Sequence, residues 1–187
     1  MSMDGKHRSF QEQVEKQPDY RYDVRNEIII NNDTMIFEEE YNVKVLMLNG
    51  SAKANGNTYA SLLEVGRQLE KEGIEYEIFQ MGGEPVRDCL GCGQCTENGC
   101  VFADDKVNEF VAKAKEADGF VFGTPVYYAH PSGRVMSFLD RAFYSSGSAA
   151  FAFKPGASVA VARRGGTTAS FDAMNKYFGI CQMPVAG

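Results

Sequence analysis

No apolar run in this chain of 187 residues approaches the roughly 20 residues that a membrane-spanning helix requires. No basic block offers to neutralise phosphates. Nineteen lysines and arginines against 25 acidic residues leave a formal charge of −6, which argues against nucleic acid or an anionic membrane surface as partner. The amino terminus, MSMDGKHRSFQEQ, lacks the apolar core of a secretory signal, so the expectation is a cytoplasmic protein. Internal repeats and low-complexity linkers are lacking too. Cysteine is scarce, five in all, yet four fall in twelve residues, CLGCGQCTENGC, from Cys89 to Cys100. In a reducing compartment such a cluster points to metal binding or catalysis sooner than to a disulfide framework.

What is present is a globular composition on a length that suits one domain with a sizeable core. Residues 1–41 are polar and weakly patterned. Within them Glu27-Ile28-Ile29-Ile30 and Thr34-Met35-Ile36-Phe37 flank the turn Asn31-Asn32-Asp33 and read as a β-hairpin, in an N-terminal extension that is either a frayed leader or an arm packed on the domain or on another subunit. From residue 42 to 187 the pattern is regular. Short apolar runs at 43–48, 74–79, 119–123 and 157–162 suit strands of a buried parallel sheet. Between them lie helical spacings: Tyr59, Leu62, Leu63, Gly66 and Leu69; Val107, Phe110, Val111 and Ala114; Val135, Phe138, Leu139 and Ala142. A fourth helix covers residues 171–178. Asn57 or Thr58 is the expected cap of the first helix, and Gly73 its end. Strands alternating with helices make an α/β fold with a parallel sheet covered on both faces.

In such a sheet ligands sit beyond the carboxyl ends of the strands, and three loops leave those ends. The first, NGSAKANGNT at 49–58, combines small residues with the hydroxyls of Ser51 and Thr58, the side chain of Asn57 and a helix N-terminus, which suits one phosphate group. It contains neither GxGxxG nor a Gly-Lys-Ser/Thr triplet, so it is not a dinucleotide or nucleoside-triphosphate loop. The second, GTPVYYAHPSG at 123–133, offers Tyr127 and Tyr128 to a flat heterocycle. His130 there has no carboxylate neighbour and reads as a loop residue before a proton donor. The third, ARRGGTT at 162–168, sets Arg163 or Arg164 beside the Gly165 and Gly166 amides, a place for negative charge.

These three motifs, in this order, resemble the flavodoxin-like NAD(P)H-dependent FMN reductases. GSAKANGNT is similar to the family's Gly-Ser-Pro-Arg-x-x-Gly-Asn-Thr phosphate loop, PVYY to its flavin-ring segment, and FLDR at 138–141 to its helix signature. Ala52 and Lys53 replace the usual Pro-Arg. Lys53 keeps the charge without the planar fork that grips two oxygens. The resemblance implies a flavodoxin-like three-layer sandwich with strand order 2-1-3-4. It implies FMN with its phosphate on Ser51, Lys53, Asn55, Asn57 and Thr58, its ring against Pro125, Val126, Tyr127 and Tyr128, and its polar edge toward Arg163, Arg164, Gly165 and Gly166. NAD(P)H would be the hydride donor, and a quinone, a flavin or a similar small molecule the acceptor, with no indispensable general acid or base. Asp140 and Arg141 are expected to orient the helix or a subunit contact. Relatives continue past a Met-Pro-Val segment into a fifth strand and a last helix, whereas this sequence stops at QMPVAG. The fifth strand is therefore expected to be truncated, leaving a sheet edge that is either short or completed by the N-terminal hairpin or by another chain; subunit association would cover it, so a homo-oligomer is expected.

The cysteine spacing is C-x2-C-x2-C-x4-C, with glycines at 91, 93 and 99. Cys89, Cys92, Cys95 and Cys100 can wrap a [4Fe–4S] cube, and the pattern resembles the compact motif of iron–sulfur flavoproteins, which exchange electrons with carriers such as ferredoxin. Zinc on four thiolates, a Cys92–Cys95 dithiol and simple packing are the alternatives. A non-enzymatic interaction module is the remaining class. Cys181 reads as a buried free thiol.

Overall fold

In a computed structural model, residues 42–146 and 149–186 are described; the hairpin expected within 1–41 lies outside them. The elements follow as β1 (Lys44–Asn49), α1 (Asn57–Lys71), β2 (Glu75–Gln80), α2 (Val107–Glu116), β3 (Gly119–Tyr127), β4 (His130–Pro131), α3 (Gly133–Ser145), β5 (Gly156–Val161) and α4 (Thr167–Ile180). Strand β1 pairs in parallel with β2 and β3, and β3 in parallel with β5. The parallel order β2-β1-β3-β5 is the 2-1-3-4 order expected, since the two-residue β4 precedes the fourth parallel strand. Strand β4 folds back antiparallel on the end of β3, pairing Val126 with Pro131 and Tyr127 with His130.

Alternation along the strands loads both faces of the sheet. Leu46, Leu48, Phe120 and Phe122 point to the layer formed with α2, α3 and α4, while Met47 and Val121 meet Leu62 of α1 on the other side. All the inward positions expected on α2 and α3 are buried, and Leu62 and Gly66 are buried on α1. The larger layer is rich in phenylalanine. Phe122 alone meets Phe110, Phe120, Phe143, Phe151 and Phe178 at centroid distances of 5.5–6.5 Å, and each fully buried ring contributes about 1.5–3 kcal/mol.

Helix α1 ends as expected. Gly73 N–H donates to Glu70 O and Ile74 N–H to Leu69 O, with Gly73 at φ 73°, a Schellman motif. Its beginning differs from expectation: Gly56 is the cap, no side chain caps the helix, and Asn57 and Thr58 are its first residues. At the far edge Gly156 N–H donates to Pro184 O, and its carbonyl accepts from Ala186 N–H, both at 2.9 Å. This bridge pairs Gly156 with Val185 in parallel, so the expected fifth strand is present as one bridge.

Candidate functional site

The carboxyl ends of β1, β2, β3 and β5 share one edge of the sheet, and the singled-out loops all leave from it. After β1, Ser51 N–H donates to Asn49 Oδ1 (3.2 Å) and Lys53 N–H to Ser51 Oγ (3.1 Å), curling the loop back on itself. Ser51 and Thr58 are buried, whereas Lys53, Asn55 and Asn57 are exposed around the curl. With no side-chain cap and no acidic residue in its first turn, α1 presents free backbone donors and the positive end of its dipole. The curl is tied to its neighbours: Gly50 N–H donates to Gly123 O (2.9 Å), and Gln80 Nε2 to Ser51 O (2.7 Å).

After β3, the residues expected to form a loop make a hairpin instead. Pro125, Val126 and Tyr127 belong to the strand, and Tyr128 and Ala129 form its two-residue turn with φ of 51° and 60°. Positive φ at both central positions is type I′ geometry. Its base is fixed by Ser132 N–H donating to Thr124 Oγ1 (3.1 Å). Tyr127 and Tyr128 stand exposed, and His130 contacts Pro131 O through Nδ1.

The loop after β5 meets this turn. Gly166, at φ 99°, caps α4, and a Cβ there would overlap Ala129 Cα. Val126, Tyr128, Ala129, Ala162, Arg163, Arg164 and Gly165 line an open cavity of about 390 Å³, within the usual ~300–1,000 Å³ of small-ligand sites. It pairs an apolar wall with two exposed guanidinium groups, a donor set that fits a flat heterocycle with an anionic edge. The structure thus brings the second and third loops into contact and joins the first to them through Gly50 and Gly123.

The cysteine segment follows β2. Residues 96–99 form a small antiparallel bridge, Thr96 to Gly99, and Gly91, Gly93 and Gly99 adopt positive φ, which lets the segment reverse repeatedly. Cys92 is exposed and Cys89, Cys95 and Cys100 are half-buried; Cys181 is buried far along the chain. Burial, then the nearby Cys100, Cys92 and Cys89 sulfurs, push the Cys95 thiol above the ordinary cysteine range. Among the described residues no three or more Cys, His, Asp or Glu side chains converge on a single ion. Four thiolates on a segment that its glycines let reverse are the donor chemistry of a [4Fe–4S] cube and equally of a four-thiolate zinc site.

Two arginines of α3, Arg134 and Arg141, hold this region. Arg134 of α3 donates from Nη2 to Gly82 O (2.7 Å) and Glu84 O (2.6 Å). Arg141, expected to orient its helix, turns inward and hydrogen-bonds Cys100, Phe102, Asp105 and Arg87. The helical period carried this signal, because 141 lies three residues after Phe138 and beside Ala142, on the buried face. Asp140 instead accepts a hydrogen bond from the Tyr177 hydroxyl of α4. Burial, then that bond, raises the Tyr177 pKa.

Comparison with known proteins agrees with this architecture. A sequence profile described as NADPH-dependent FMN reductase matches residues 43–187. An iron–sulfur flavoprotein of Methanocaldococcus jannaschii is 34% identical over 78% of this chain and 76% of its own; the chain spans about half the length of some other curated relatives it matches. In fold it is similar to the NAD(P)H:(acceptor) oxidoreductase of Paracoccus denitrificans (TM-score 0.57, 16% identity, 78% of this chain and 75% of that one). It is also similar to an archaeal flavodoxin (TM-score 0.53, 14% identity, 77% and 78%). Among the described residues no helix is long and apolar enough to cross a membrane. By sequence and by fold, the chain belongs to the NADPH-dependent FMN reductase family, a family of flavodoxin-like oxidoreductases.

Proposed function

We propose that the chain is an FMN-dependent oxidoreductase that takes electrons from NAD(P)H and passes them to a small acceptor or a ferredoxin-like carrier, with a [4Fe–4S] cluster on Cys89, Cys92, Cys95 and Cys100. The observation that carries the flavin part is the meeting of three loops at one sheet edge, with Gly166 seated against Ala129 beside a cavity that ends in Arg163 and Arg164. Bound FMN would supply the two-electron chemistry and the cluster one-electron exchange.

The chain's own residues bind, orient and tune. The Ser51 curl and the uncapped start of α1, with Asn55, Asn57, Thr58 and Lys53 around them, hold a phosphate by backbone donors and dipole. Pro125 to Tyr128 lay an apolar, aromatic wall along a ring. Arg163, Arg164, Gly165 and Gly166 place positive charge and amide donors where a reduced ring gathers negative charge. No side chain is assigned as an indispensable acid or base.

The cluster reading is favoured over a plain reductase by the iron–sulfur flavoprotein relative and by the Arg141 contact to Cys100. The experiment is a titration of purified chain with FMN, followed by NADPH or NADH oxidation with a quinone acceptor. Saturable flavin uptake with steady turnover supports the proposal. A chain that takes up no FMN refutes it.

A further inference from the structure

Arg141 leads the largest fully buried side chains, with its guanidinium shielded from solvent, and its hydrogen bonds all go to the cysteine segment and its flanks. Nη1 donates to Arg87 O (3.4 Å), two residues before Cys89, and pairs with the Asp105 carboxylate. Nη2 donates to Phe102 O (2.6 Å), and Nε to Cys100 Sγ (3.4 Å). Asn108 of α2 grips the Cys100 backbone from another direction: Nδ2 donates to Cys100 O, and Oδ1 accepts its N–H, both at 2.8 Å. None of these partners belongs to the flavin loops. The remaining thiols, Cys89, Cys92 and Cys95, sit on a stretch punctuated by Gly91 and Gly93 at positive φ. Cys100 is therefore held at both its backbone and its sulfur by the protein's own side chains.

We propose that Arg141 is a positioning residue for the iron–sulfur site, pinning Cys100 Sγ with an N–H···S hydrogen bond and clamping both ends of the cysteine segment around it. This rests on the cluster reading above. A guanidinium stays charged at every accessible pH, so the bond does not switch off. It offsets negative charge on the sulfur and so favours the reduced, more negative state of the group that the sulfur holds, raising its midpoint potential. Because Asp105 balances the net charge, the hydrogen bond rather than bulk electrostatics sets the shift. A pre-placed ligand also slows loss of metal, since residues that orient ligands typically contribute about 10- to 100-fold in metal affinity.

Removing Arg141 alone would leave the Asp105 carboxylate buried and unpaired and threaten folding. The test therefore compares the full chain with Arg141→Lys and with the double variant Arg141→Met/Asp105→Leu, which replaces the ion pair by apolar volume. Each is loaded anaerobically with FMN, iron and sulfide. Three quantities are read: bound FMN, midpoint potential by an EPR-monitored titration, and the rate at which a chelator strips iron. The expected result is unchanged FMN, a lower potential in the double variant with Arg141→Lys in between, and iron loss faster by about 10- to 100-fold. A folded, FMN-loaded double variant with wild-type potential and wild-type iron loss overturns the proposal. So does parallel loss of FMN and iron, which marks a merely structural residue. If the double variant does not fold, Arg141→Lys decides by the same readouts. A wild-type chain that takes up FMN but no iron rejects the cluster reading, and this proposal with it.

Discussion

A residue other than glycine held at left-handed φ costs roughly 1–2 kcal/mol, and Tyr128 and Ala129 bear that strain side by side at the tip of the β3–β4 hairpin. Such strain persists where the surroundings over-determine it, and here the turn holds a tyrosine beside the cavity. Replacing the pair by the dipeptide that type I′ turns prefer, Tyr128→Asn with Ala129→Gly, is expected to raise unfolding stability by about 1–2 kcal/mol in urea while weakening FMN uptake. An equally strong FMN affinity would assign the turn no part in the ring site. Gly166→Ala works in the opposite sense, placing a methyl against Ala129 in a backbone region hostile to it. It is expected to cost about 2–4 kcal/mol and to weaken FMN binding at least tenfold, read by fluorescence titration. At this scale the loop glycines, hydroxyls and arginines were legible as candidates for a phosphate and an anion site, and the loops that carry them leave one edge of the sheet. The hairpin was not, since Tyr-Ala carries none of the Asn-Gly chemistry that marks such a turn. The role of Arg141 was not either: a charge on an apolar helix face reads as a helix-end or subunit feature until its acceptors, 36 to 54 residues away in sequence, are in place.

Elements were more legible than residues. The buried faces of α2 and α3 follow from a 3.6-residue period, and the four parallel strands from short apolar runs whose ends shift by at most a residue or two, apart from β3. Strand β3 runs four residues past Gly123 because β4 pairs with its end. The start of α1 was misplaced because Asn57 and Thr58 are better caps than Gly56 by composition, yet the curl of Ser51 on Lys53 sets the entry. On β2, Glu77 pairs with Lys44 of β1 and Lys113 of α2 at 3.1 and 2.9 Å. Burial pulls its pKa up, but hydrogen bonds from Lys113 and Lys44 outweigh that and leave it below the ordinary carboxylate range. A depressed carboxylate stabilises the fold above its unfolded-state pKa, and that contribution is lost as pH falls through the folded value. Glu77→Gln is thus expected to flatten the loss of stability below about pH 4.5. The effect should stay under about 1 kcal/mol because the pairs are part-exposed. Urea midpoints measured between pH 3 and pH 7 check it, and an unchanged acid slope would contradict it.

The molecule as a whole separates stability from chemistry. Phenylalanines fill the layer beneath α2, α3 and α4, while the singled-out loops and thiols leave the carboxyl edge of the sheet. Phe122→Ala, at the centre of five ring contacts, is expected to cost about 3–5 kcal/mol by thermal or urea unfolding. A cost below 1 kcal/mol would show that the layer repacks. Family and topology could be read from three ordered motifs. The arrangement of the four thiols could not, because it depends on how their segment folds in space and not on their spacing. The measurement that bears most directly on the central claim is an anaerobic absorbance spectrum of the full chain reconstituted with FMN, iron and sulfide, with chemical analysis of all three. Flavin bands over a broad iron–sulfur absorption are expected, both bleached by a reductant, with the iron–sulfur part alone lost in a variant carrying serine at 89, 92, 95 and 100. A chain that remains colourless after reconstitution would contradict the account.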